Sequence, residues 1–202
     1  MTNSKYLYIV FSRTNTTVGK IVRMATKHEY NHVSLSCCPK LCKMYSFARY
    51  KKNAPFVGGF VCERPSRYLY PDDDISTKIC RLPITEEELI SLRSRIRHFE
   101  SESKKMKYNT IDALLFPLGI NAKIKDSYTC LDFVCTLLGV PAKSIEELEY
   151  MLEKYVIYEG PLSEYLTYFE LKGLEYFDPI SLPRAICDTA MHIGTLIKRL
   201  LD

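Results

Sequence analysis

Apolar and polar positions follow two periods along this chain, the short period of strands towards the amino end and the helical period towards the carboxyl end. Lys5 to Ser12 is a run of aromatic and β-branched residues and predicts a buried first strand. Thr14, Asn15 and Thr16 offer caps for a short amphipathic helix over 18–27, with Val18, Ile21, Val22 and Ala25 on its apolar face. Tyr30 to Cys37 alternates, placing His32, Ser34 and Ser36 on one face of a second strand and Val33, Leu35 and Cys37 on the other. Pro39 and Lys40 predict a turn, and 43–49 returns as a third strand.

The loop signal at 54–59 precedes a short strand over 60–63, and after the turn at Asp72, Asp73 and Asp74 a further strand covers 76–82. Thr85 and Glu88 form a capping-box pair for a helix to about Glu102, with Leu89, Leu92, Ile96 and Phe99 as its buried stripe. Residues 108–120 predict a helix broken at Pro117. In 127–139, Phe133, Val134, Leu137 and Leu138 share an apolar helix face that Gly139 and Pro141 terminate. Helices are expected over 144–154, 162–170 and 183–201, the last with Ile186, Ala190, Ile193, Ile197 and Leu200 on one stripe turned to the core. Strands followed by helices, without an internal repeat or long linker, predict an α+β fold in a single domain over 1–202, with 141–202 as a helical extension.

Composition narrows the function classes. A net charge of +4 without a basic run gives no nucleic-acid surface. Every apolar run is far shorter than the ~20 residues of a membrane span, so no stable membrane insertion is expected. The start of the chain lacks the three regions of a signal peptide, and the default location is cytoplasmic, with the eight cysteines as reduced thiols.

Chemistry concentrates at Cys130. It falls in the first turn of its helix, where unpaired N–H groups and the positive end of the dipole favour an anion, here a thiolate. Nucleophilic cysteine catalysis also requires a base and a group that orients the base. Of the four histidines, His28, His98 and His192 belong to helices or their ends. His32 alone is on a strand, where it would be held rigidly.

The segment Tyr-Asn-His-Val-Ser-Leu around His32, followed far downstream by Tyr-Thr-Cys-Leu-Asp-Phe-Val around Cys130, resembles the circularly permuted NlpC/P60 papain-like superfamily, in particular its YiiX/YaeF-like and lecithin retinol acyltransferase-like groups. The likeness covers roughly residues 5–140. It implies a papain-like fold with the cysteine helix on an antiparallel sheet, and amidase, peptidase or acyltransferase chemistry through a thioester. Carried over by position, Cys130 matches the nucleophile and His32 the base. The orienting residue, often Glu or His in that group, falls at Ser46, with Glu63 one strand further along as the alternative. A serine departs from the usual choice and carries no charge to stabilise an imidazolium. Tyr128 would shape the cleft or hydrogen-bond the intermediate.

The expected function is a cysteine hydrolase acting as an amidase or peptidase on a peptide-like or acylated small substrate. The alternatives are an acyl-lipid thioesterase or acyltransferase and a catalytically silent binding module of the same fold. No cofactor or metal is expected: Cys37, Cys38, Cys42 and Cys62 lack the second ligand pair of a zinc site, and Asp72 to Asp74 lacks calcium-loop spacing. Neither substrate identity nor oligomeric state follows from the residues.

Overall fold

A computed structural model describes residues 5–115 and 120–202. Its frame is a six-stranded sheet in the order β4-β3-β2-β1-β5-β8, every neighbouring pair antiparallel. The strands are β1 (Lys5–Ser12), β2 (His32–Ser36), β3 (Met44–Arg49), β4 (Gly58–Glu63), β5 (Ser76–Ile84) and β8 (Val156–Pro161). Two short strands, β6 (Lys107–Tyr108) and β7 (Ser127–Tyr128), form a separate parallel pair. The helices are α1 (Thr17–Thr26), α2 (Ser66–Leu69), α3 (Glu86–Ser101), α4 (Thr110–Leu115), α5 (Cys130–Leu138), α6 (Ile145–Leu152), α7 (Leu162–Tyr165) and α8 (Leu182–Leu201). The chain is α+β.

β1 is an unbroken apolar run because both faces of the sheet are covered there. Leu7, Ile9 and Phe11 join Val33, Leu35, Phe47 and Phe60 under α3, α5 and α6. Tyr8 and Val10 point the other way, to Leu41, Met44, Tyr68, Leu69, Ile79 and Leu162. The first core is aromatic at its centre. Phe133 of α5 lies 5.6 Å from Phe47, 5.7 Å from Phe60 and 5.0 Å from Phe99, ring centre to ring centre. Truncating such a ring typically costs about 3–5 kcal/mol.

Local signals set the helix ends. The Thr85 hydroxyl accepts from Glu88 N–H at 3.1 Å and the Glu88 carboxylate accepts from Thr85 N–H at 2.7 Å. Gly139 ends α5 in the left-handed region, with φ of 69°. The helix expected over 18–27 is α1, although the side chains of residues 17, 18 and 21 lie outside the described residues, as does the break expected at Pro117.

Three expectations change. The stretch after Pro141 is not all helical: Val156 to Pro161 alternates between half-buried and exposed and adds an edge strand to the sheet. The helix expected over 162–170 ends at Tyr165. The stripe expected to bury α8 is largely outward, with Ile186, Ile197 and Leu200 exposed while His192 and Leu196 face the protein. On that inward side the His192 Nε2 donates to the carbonyl of Tyr108 at 2.9 Å and Leu196 is fully buried. Burial lowers the His192 pKa and keeps the ring neutral there. No helix among the described residues is long and apolar enough to cross a membrane.

Candidate active site

α5 begins at Cys130 because Thr129 caps it. The Thr129 hydroxyl accepts from Asp132 N–H at 3.1 Å and the Asp132 carboxylate accepts from Thr129 N–H at 2.9 Å, a reciprocal box. Lys123 pairs with Asp132, and these partners hold its carboxyl below the usual range despite burial. The first intrahelical backbone bond runs from Phe133 N–H to Thr129 O at 3.2 Å. The N–H groups of Cys130 and Leu131 precede it and belong to the unpaired donors of a helix start. The cap thus fixes Cys130 in the first turn of α5, together with two unpaired backbone donors.

α5 packs across β2 and β3. His32 is the first residue of β2, opposite Ser12 of β1, so its ring sits at the end of the sheet. There the Nε2 atom lies 3.1 Å from both carboxylate oxygens of Glu63, at the end of β4. Cys130 is among the groups that raise the pKa of the same ring. His32 and Glu63 therefore meet, and Cys130 acts on the same ring, although the three come from a central strand, an outer strand and a helix.

Burial of His32 works against an imidazolium. The Glu63 carboxylate and the influence of Cys130 outweigh it, raising the pKa to about 10. Glu63 is fully buried, which favours its neutral form. The imidazolium beside it and the Arg67 guanidinium, whose Nε is 3.5 Å away, reverse that and hold the carboxyl below its ordinary value. Arg67 is itself anchored over the Tyr176 ring, 3.9 Å from its centre.

Ser46 does not meet the imidazole. Its hydroxyl donates to the carbonyl of Val33 at 2.9 Å, within the sheet. Tyr128 lies in the aromatic core, its ring 5.0 Å from Phe47 and 5.3 Å from Phe99. His28 is not a solvated helix end: its Nε2 is 2.9 Å from a Glu149 oxygen, beside the ion pair of Glu149 with Lys78.

Cys130 opens on a cleft of about 1010 Å³ whose walls include Val22, Leu131, Val140, Pro141, Ala142 and Ile145. His32 and Glu63 border a smaller, more polar cleft of about 370 Å³ with Arg49 and Arg67. Asn31, Val22 and Tyr108 line both clefts. Asn31 and Tyr108 escaped the sequence reading as site residues. Asn31 could have been noticed beside His32; its side-chain oxygen accepts from Thr14 N–H at 2.9 Å and Arg23 Nη1 at 2.7 Å, which fixes the loop leading into β2. Tyr108 carries no local signal, and only its parallel pairing with Tyr128 places it.

No family model, curated protein or solved structure matches the chain. Among the described residues no three His, Cys, Asp or Glu side chains come together as a metal site.

Proposed function

We propose that the protein is a cysteine hydrolase in which Cys130 is the nucleophile, His32 the proton carrier and Glu63 the residue that orients and charges His32. The observation that carries this reading is the buried contact of the His32 Nε2 with both carboxylate oxygens of Glu63, on a ring whose pKa Cys130 also raises. The chain order histidine, glutamate, cysteine, with the first two on strands of one antiparallel sheet and the third at a helix start, supports a circularly permuted papain-like arrangement.

With Nε2 engaged by Glu63, Nδ1 is the nitrogen left to exchange a proton with sulfur. An imidazolium favoured by Glu63 stabilises a thiolate at Cys130. The thiolate attacks an amide or ester carbonyl, and the oxyanion takes hydrogen bonds from the helix-start N–H groups. His32 gives its proton to the leaving amine or alcohol. It then takes one from water, whose oxygen attacks the thioester carbonyl and releases the acid and the thiol.

Amide cleavage in a peptide-like substrate is the first reading. Acyl-ester or acyl-transfer chemistry is the second, favoured by the apolar side chains that wall the Cys130 cleft. The test is two-part. Iodoacetamide at neutral pH should alkylate Cys130 faster than the other cysteines, and His32→Ala should abolish that advantage; equal labelling in both proteins would leave only a silent binding module. Peptide amides tested against long-chain acyl esters then rank the two activities, and acyl transfer without amide cleavage would place the second first.

A further inference from the structure

The turn between β2 and β3 brings two further sulfurs together. Cys38 and Cys42 place their Sγ atoms 2.9 Å apart, with the Cys42 thiol donating to Cys38. Reaching the ~2.05 Å of a disulfide requires an approach of roughly 0.9 Å. The turn is built to hold this geometry. Leu41 is fully buried, adopts a left-handed φ of 49° and donates its N–H to the Cys38 carbonyl at 3.0 Å. The Ser36 hydroxyl accepts from Cys38 N–H at 3.1 Å and reaches the Lys43 carbonyl at 2.7 Å. Both cysteines nevertheless reach solvent, Cys42 as an exposed residue and Cys38 in part.

The two sulfurs differ in charge tendency. Partial burial raises the Cys38 pKa, but the Cys42 thiol, the N–H groups of Cys42 and Lys40 and the Lys40 charge outweigh it and lower the pKa. The bond to Cys38 raises that of Cys42. A depression of about 300 Å³ adjoins the pair and carries Lys43, Arg93 and Arg97 against one carboxylate, Glu100. Cations beside a partly exposed sulfur favour its thiolate.

We propose that Cys38 and Cys42 form a redox-active dithiol that hydrogen peroxide converts to an intramolecular disulfide. Cys38, as the thiolate, attacks one peroxide oxygen; an S–O bond forms, the O–O bond breaks and the leaving oxygen departs as water after taking a proton. Cys42 then attacks the Cys38 sulfur. The S–S bond forms, the S–O bond breaks and a second water leaves with the Cys42 proton. Two thiols lose two electrons in all, and hydrogen peroxide is reduced to two waters.

Trypsin cuts after Lys40, between the two sulfurs, which gives a direct assay. The full chain is treated with hydrogen peroxide, blocked with iodoacetamide and digested without reductant. The expected product joins peptide His28–Lys40 to Leu41–Lys43 and separates with dithiothreitol. It should persist in Cys37→Ser and vanish in Cys38→Ser. In Cys42→Ser, Cys38 should stop at the sulfenic acid and be trapped by dimedone. Cys38 should react at least about tenfold faster than the exposed Cys187. A bridge through Cys37, oxidation of Cys38 no faster than that of Cys187, or sulfinic acid in place of the linked peptide would each overturn the proposal.

Discussion

The Nε2 atom of His32 lies 3.1 Å from each oxygen of Glu63, and this contact joins the first residue of β2 to the last of β4. β3 lies between those strands, yet its Ser46 is turned to the Val33 carbonyl and leaves the imidazole to the longer side chain. Glu63→Gln is therefore expected to lower kcat by on the order of 10²–10⁴, as removal of the charge behind a catalytic imidazole does. Ser46→Ala should leave kcat within about threefold and cost one hydrogen bond, about 1 kcal/mol. Steady-state kinetics and urea unfolding of the two variants check this pair of outcomes. A kcat loss in Ser46→Ala that exceeds the loss in Glu63→Gln would reverse the assignment.

Replacing Cys130 by Ala should remove turnover by about 10³-fold or more while the chain stays folded. The residue is buried, so a modest fall in stability is expected, about 1 kcal/mol for a small sulfur-sized void. Circular dichroism and a substrate assay on the same sample separate the two effects.

Stability should depend on pH through the buried pair. The folded pKa of His32 is raised to about 10, so its contribution is complete below the ordinary histidine pKa of about 6.5 and is lost as pH rises through 10. The folded pKa of Glu63 is depressed, so its contribution is present above the ordinary carboxylate value and is lost as pH falls through the folded value. The pair is thus expected to stabilise the fold most near pH 5–6, with a decline on each side. Urea midpoints from pH 3 to 10 measure this, and Glu63→Gln should flatten the curve. An unchanged curve in the variant would show that other groups set it.

The walls of the larger cleft yield a substrate-size test. Ala142 is one of its lining residues, and its carbonyl accepts a weak bond from the Cys135 thiol at 3.7 Å. Ala142→Trp should narrow the cleft and lower kcat/KM for a long-chain acyl substrate by about tenfold or more, while a short-chain substrate changes little. That is the scale expected when a methylene or more is excluded from an apolar site. Equal losses for both chain lengths would place the acyl group elsewhere.

Local order was legible in the residues wherever a short-range rule was sufficient. The unbroken apolar run of β1, the alternation around His32, the Thr85–Glu88 cap, the Gly139 stop and the placement of Cys130 in a first helical turn all depend on neighbours a few residues apart. Such features follow from backbone sterics and side-chain periodicity, which a sequence states directly. The strand at Val156 to Pro161 was missed because half-burial at an edge leaves a weak pattern.

Only the tertiary structure decided which side chains share a site. Cys130 and His32 could be named from residue type and local setting, but whether Ser46 or Glu63 reaches the imidazole depends on cross-sheet register and side-chain length. The outward stripe of α8 likewise depends on the packing that buries His192 and Leu196. The Cys38–Cys42 contact depends on the left-handed turn at Leu41, held by the burial of that side chain. Apolar periodicity is a property of adjacent residues, whereas a hydrogen bond between distant strands is a property of their packing, and that packing placed Glu63 behind His32.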